Sequence, residues 1–179
     1  MRFYDRESEL KALEKTLEGP ISEMAVITGR RRIGKSRLVE EFLKSRNSAR
    51  LMIVPKEEKL IAADFANTLA DEFRPQFQTV AEALEYFFLK SSKQILFIDE
   101  FPNLVEANRN IPYEVQKLWE KYRSSTRKLL IFTGSYVSMM DKIFTRKKST
   151  AVQQGRMQHH TSTAGHTNSM EDTERFECQ

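Results

Sequence analysis

Apolar positions along the chain follow two alternating rhythms, and the alternation predicts an architecture. In "ESELKALEKTLEG", Leu10, Leu13 and Leu17 stand at helical spacing with charges between them until Gly19-Pro20 ends the pattern, which predicts a first helix. "MAVIT", residues 24–28, is a short apolar run before a glycine and predicts a buried strand. After it, "KSRLVEEFLKS" puts Leu38, Val39, Phe42 and Leu43 on one helical face. The rhythms then repeat. "ARLMIV" predicts a strand, "EEKLIAADFANTLADEF" a helix ending before Pro75, "TVAEALEYFFLKS" another helix, and "QILFID" a strand too apolar for a sheet edge. "PYEVQKLWEKYRSS" predicts a helix with Pro112 near its start, "KLLIFTG" a strand, and "SYVSMMDKIF" a short helix with Ser135 or Tyr136 near its beginning. Apolar strands separated by helices in this way predict an α/β fold, with a parallel sheet covered on both faces.

From Thr150 the rhythm stops. "TAVQQGRMQHHTSTAGHTNSMEDTERFECQ" has almost no apolar periodicity and holds all 3 histidines of the chain and its 1 cysteine. The expectation is a core domain over residues 1–149 and a disordered tail over residues 150–179.

Composition narrows the function classes. With 179 residues, 40% hydrophobic and 30% charged, the chain has material for one domain with a hydrophobic core. No apolar run approaches the roughly eighteen residues of a membrane span, and "MRFYDRESEL" is charged from its second residue, unlike a secretory signal; the expected place is the cytoplasm. Cys178 lies beside the end, so neither a disulfide framework nor a cysteine metal site is available. The net charge of +4 divides unevenly, because residues 150–179 hold two basic and four acidic residues and leave the body at +6. A mildly basic body suits phosphate ligands or a nucleic-acid surface.

The chemistry concentrates where the first predicted strand meets the second helix. "GRRRIGKS", from Gly29 through Arg30, Arg31, Arg32, Ile33, Gly34 and Lys35 to Ser36, fits GxxxxGK[ST] with a strand before it and a helix after it. Gly29 and Gly34 let the backbone curl so that successive N–H groups face inward, and the helix adds its positive end. A polyphosphate fits there, with Lys35 reaching the β- and γ-phosphates and the Ser36 hydroxyl ligating Mg²⁺. This is the Walker A pattern. "ILFIDE" supplies a Walker B counterpart: Asp99 holds Mg²⁺ through water and Glu100 polarises the attacking water. On "LLIFTGS", Thr133 and Ser135 stand where many ATPases carrying these two patterns put a polar residue, and a hydroxyl there is expected to sense the γ-phosphate and orient the attacking water. Ser135 also serves as a helix cap in the blander reading.

Taken together, "FYDRESEL", "GRRRIGKSRLVEEF", "ILFIDEFPNL", "EVQKLWEKY" and "LIFTGSYVSMMDKIF" resemble the archaeal-type ATPase family, a group within the wider AAA+ and signal-transduction ATPases, over residues 3–149. The resemblance implies a P-loop NTPase three-layer sandwich with a mainly parallel central sheet, and ATP as the nucleotide. It places Tyr4, Asp5, Arg6 and Glu7 near the adenine pocket. It also implies a lid and a further C-terminal domain after the core, sometimes winged-helix or nuclease-like. After the last predicted helix the family continues with something like "SPLYGR" and an apolar segment, where this chain reads "STAVQQGR". Dropping one base from the codons for "TAVQQG" permits Pro, Leu, Tyr, Ser and Arg in that order. The expectation is therefore an incomplete core without its lid, followed by a tail translated out of frame.

Two functions stay open from sequence. One is Mg²⁺-dependent ATP hydrolysis with Glu100, Lys35 and Ser135 as catalytic residues, and the other is a switch that holds ATP or ADP without useful turnover. A second cation at the γ-phosphate separates them. Arg109 and Arg146 are candidates that sequence does not place, and a homo-oligomer or another protein is the expected partner. No helix-turn-helix or aromatic-basic RNA motif is evident, so nucleic acid ranks last for this chain. The resemblance keeps it for full-length family members.

Overall fold

Three of the apolar runs become strands buried along nearly their whole length, and the helices between them divide cleanly over the two faces. The computed structural model describes residues 6–135, Met140, 150–153 and 156–158. In chain order the elements are α1 (Glu7–Leu17), β1 (Glu23–Thr28), α2 (Lys35–Leu43), β2 (Ser48–Met52), α3 (Glu58–Thr68) and α4 (Val80–Leu89). They continue with β3 (Ile95–Asp99), α5 (Phe101–Ala107), α6 (Ile111–Tyr122), β4 (Leu129–Gly134), β5 (Thr150–Gln153) and β6 (Arg156–Gln158). They form one sheet of order β2-β3-β4-β1-β5-β6, parallel from β2 to β5 and antiparallel between β5 and β6.

Side chains alternate across this sheet as the pleat requires. Met24, Val26, Leu96, Ile98, Leu130 and Phe132 face a core built with α3, α4, α5 and α6. Ala25, Ile27, Ile95, Phe97, Leu129 and Ile131 face the opposite core, where Leu13 of α1 meets Leu38, Val39 and Phe42 of α2. The chain is thus a three-layer α/β sandwich. Each fully buried Leu, Ile or Phe contributes about 1.5–3 kcal/mol, so the carboxyl ends of β1, β3 and β4 are held by packing rather than by local preference. Strand β2, at the sheet edge, alternates instead: Ala49 and Leu51 are buried while Arg50 and Met52 are exposed. Arg50 pairs with Glu40 of α2.

Several boundaries differ from the sequence reading. The third predicted helix stops at Thr68 instead of running to Phe73. Asp71 draws the chain away, accepting a hydrogen bond from the Ser92 hydroxyl at 2.5 Å and pairing with Lys93 at 3.1 Å. The strand predicted through Val54 ends at Met52. Helix α5 was not predicted. It is seven residues long with a proline in its first turn, too short to display a period, and it forms because Phe101, Pro102, Leu104 and Val105 are all buried. Within the stretch read as a disordered tail, β5 and β6 are strands, and β5 adds to the free side of β1. A strand in that place is recruited by backbone N–H and C=O groups, which leave no trace in apolar periodicity. The rest of that tail, and the helix expected over "SYVSMMDKIF" apart from Ser135 and Met140, lie outside the described residues.

Gly134 ends β4 where α5 comes closest. A Cβ there would stand 2.9 Å from Pro102 Cδ and 3.0 Å from Met140 Cγ and Sδ. The methionine can give way, but the proline ring cannot. Gly134→Ala is expected to destabilise the fold by about 1–3 kcal/mol, a fall in melting temperature of about 2–4 °C per kcal/mol. Thermal unfolding followed by circular dichroism checks it, and an unchanged midpoint would show that α5 moves freely.

Candidate functional site

The loop after β1 is shaped by two residues with left-handed backbone. Arg32 has φ 66° and Gly34 φ 86°. A Cβ on Gly34 would meet no heavy atom of the described residues within 4 Å, so the glycine is required for its dihedral and not for space. Gly34 then caps α2, whose first helical bond runs from Leu38 N–H to the Gly34 carbonyl at 2.9 Å. No side chain caps this helix and no acidic residue lies in its first turn. Its leading N–H groups therefore have no partner within the helix and carry the positive end of its dipole. Arg6 steadies the loop from behind, donating from its guanidinium to the Ile33 carbonyl at 2.7 Å.

Lys35, the first residue of α2, folds back into the loop. Its ammonium donates to the Gly29 carbonyl at 2.9 Å, the Arg30 carbonyl at 3.1 Å and Ser135 Oγ at 3.4 Å. Ser135 in turn donates to Glu100 Oε1 at 3.1 Å, so one hydroxyl links the lysine to the glutamate. Burial holds the Lys35 pKa below the ordinary lysine value, opposed by the negative charges of Glu100 and Asp99 and assisted by the positive charge of Arg31.

Asp99 closes the buried strand β3 with 2% of its surface exposed. Its Oδ1 accepts from the Thr133 hydroxyl and from the Glu100 N–H, the latter at 3.1 Å. Its Oδ2 is buried and has no hydrogen-bond partner among the described residues. An acceptor oxygen left in that condition is costly unless something else completes it, and a hard divalent cation, which prefers oxygen donors, suits this carboxylate chemically. Glu100 adopts a left-handed conformation, φ 55° and ψ 49°, that turns the chain from β3 into α5.

Lys35, Glu100 and Ser135 border one pocket of about 530 Å³ between the loop and the end of β2. Of the residues singled out from sequence, Arg31, Arg32, Gly34, Lys35, Ser36, Glu100 and Ser135 line it. Arg30 and Ile33 contribute backbone carbonyls to Lys35 and Arg6 and do not line it, and Asp99 lies behind the wall. Arg109 is exposed in the turn between α5 and α6, away from the lining. Tyr4, Asp5 and Arg146 lie outside the described residues. The sequence reading missed the far wall, formed by Met52, Ile53, Val54 and Pro55 with Asn103, whose amide donates to the Ile53 carbonyl at 2.8 Å. It also missed Arg37. Only the parallel pairing of β2 with β3 brings that wall to the loop, and no local pattern announces it.

Among the described residues no helix is long and apolar enough to cross a membrane. A family model for an ATPase domain predominantly from Archaea matches residues 3–170. The match runs past Ser149, where the resemblance drawn from sequence ended. An uncharacterized protein of Methanocaldococcus jannaschii, MJECL04, is 34% identical over 146 residues, which make up 81% of this chain and 32% of that protein. The Walker-type ATPase PABY2304 of Pyrococcus abyssi superposes with TM-score 0.61 at 19% identity, covering 84% of this chain and 53% of its own. A chain of the Drosophila ORC bound to DNA superposes with TM-score 0.65 at 14% identity, covering 84% and 43%. The chain therefore spans about a third of its curated relative and about half of these solved chains.

Proposed function

Because the chain belongs to the family of ATPase domains found predominantly in Archaea, we propose that its pocket binds ATP with Mg²⁺ and hydrolyses the terminal phosphoanhydride. One observation carries the reading. An uncapped helix start, a buried lysine and a buried carboxylate oxygen with no partner among the described residues converge where parallel strands end, the place at which ligands of open α/β sheets bind.

In this reading GRRRIGKS is a Walker A loop, and Asp99 with Glu100 forms the Walker B pair. The N–H groups at the start of α2 cradle phosphate oxygens, and Lys35 trades its loop carbonyls for the β- and γ-phosphates. Ser36 and Asp99 are the residues that would hold Mg²⁺, which when bound neutralises charge on the phosphate oxygens. Thr133 keeps Asp99 oriented by occupying its other oxygen. Glu100 holds and polarises the attacking water, and Ser135 positions both Glu100 and Lys35. Arg6 and Glu7 belong to the adenine side, with Arg6 coupling that side to the loop. ADP is the product held after turnover. Assembly with a second copy or another protein, and contact with nucleic acid by a longer protein, go with this reading as properties of the larger molecule.

Asp99 supplies the test. Asp99→Asn keeps size and shape but weakens the oxygen donor, so ATP affinity is expected to lose its dependence on Mg²⁺. Calorimetric titration of wild type with ATP should show tighter binding with magnesium than with EDTA, by about tenfold or more, and the variant should show little difference. A variant that keeps the full magnesium dependence would refute the assignment.

A further inference from the structure

The loop carries three consecutive arginines, and the structure gives them different places. Arg30 accepts from Lys35 through its backbone carbonyl and does not line the pocket, while Arg31 and Arg32 border it. The backbone at Arg32 is left-handed. Arg31 is the arginine whose charge Lys35 feels, and it forms no ion pair among the described residues. Four cations, Arg31, Arg32, Lys35 and Arg37, thus border one pocket, Arg31 being the arginine that acts on Lys35 against the carboxylates of Glu100 and Asp99, and an anion entering among them relieves their repulsion. Lys35, which in the reading above exchanges its two loop carbonyls for phosphate oxygens, brings a single point charge. Arg31 brings a planar fork of donors to the same space, the geometry that matches phosphate oxygens in pairs.

We propose that Arg31 is a catalytic residue of this chain, supplying in cis the second positive charge on the terminal phosphoryl group of the bound nucleoside triphosphate. The proposal rests on the ATPase reading above. In the step it serves, a water oxygen forms the new bond to the γ-phosphorus as the bond from that phosphorus to the β–γ bridging oxygen breaks. The bridging oxygen leaves on ADP with the electron pair, and the water proton passes to Glu100. Negative charge grows on the bridging oxygen and persists on the equatorial oxygens, and a guanidinium there is favoured most at that moment. This assigns to the loop the cation that Arg109, facing solvent beyond α5, does not provide.

The test separates rate from affinity. Single-turnover hydrolysis at saturating Mg²⁺ and ATP is measured for wild type, Arg31→Ala, Arg31→Lys and Arg109→Ala, with ATP affinity of each from calorimetry. Arg31→Ala is expected to lose about 10²-fold or more in rate with affinity within about tenfold, and Arg31→Lys to recover part of the rate, as a point charge lacking the fork does. Arg109→Ala should match wild type. The wild-type rate per chain should also be independent of protein concentration, because the cation comes from the same chain. If Arg31→Ala turns over like wild type while Lys35→Ala does not, Arg31 is not catalytic and the ATPase reading stands. A loss of affinity as large as the loss of rate would make it a binding group and overturn the proposal. If wild type binds no ATP, the ATPase reading fails and takes the proposal with it. If wild type binds ATP but does not hydrolyse it, the hydrolytic part of the reading and the proposal fail together and the nucleotide-switch reading takes over.

Discussion

Lys35→Ala is expected to weaken ATP binding by at least about a hundredfold. A charge-assisted hydrogen bond contributes about 1.5–3 kcal/mol, and a hundredfold corresponds to about 2.7 kcal/mol. The lysine acts on more than one count. The residue is 7% exposed and its charge is favoured by the carboxylates of Glu100 and Asp99, so its removal leaves two negative charges facing an incoming polyphosphate with one fewer cation between them. The loop itself should survive, since Arg6 still anchors the Ile33 carbonyl and Gly34 still caps α2. A thermal melt of the ligand-free variant separates lost binding from lost fold. Calorimetric affinity within tenfold of wild type would mean that the phosphates sit elsewhere.

Glu100→Gln should have the opposite signature. The amide keeps the size of the side chain and an oxygen that can accept from Ser135, so affinity should stay within about threefold of wild type. Lost is the basic oxygen that polarises water, and phosphate release should fall by about 10²-fold or more. Wild-type turnover in this variant would remove Glu100 from the mechanism. The comparison also separates the two functions that sequence left open, because an ATPase loses activity here whereas a switch without turnover has none to lose.

What could be read from the chain was what depends on neighbours in sequence. The buried strands β1, β3 and β4 announced themselves as unbroken apolar runs, and the loop from Gly29 to Ser36 could be recognised because its strand and helix adjoin it. The link from Lys35 through Ser135 to Glu100 could not. It depends on the pairing of β3 with β4, in which Ile98 faces Phe132 and the next residues, Asp99 and Thr133, are thereby brought side by side. That Arg31 and Arg32 border the pocket while Arg30 does not, and that Arg32 takes a left-handed backbone, are features residue type does not reveal, since arginine has no special liking for positive φ. Helix α5 exists because its face is buried, a property of the finished sheet. Strands β5 and β6 are held by backbone pairing beside β1, which a search for apolar rhythm passes over.

The position of β1 in the sheet also sets a clock. The strand that leads into the phosphate loop is made early, but its partners are late: Glu23 waits for Leu129, and Ala25 for Thr150. While the chain leaves the ribosome, α2 can wind and β2 can meet β3, yet the loop has no framework to hold its curvature until β4 has emerged. Long-range pairing of this kind closes large loops before any contact repays the entropy, and it slows folding. Nucleotide therefore cannot act as an early template for this domain. Its site needs β1 paired with β4, so a ligand there favours the closed sheet over the open chain.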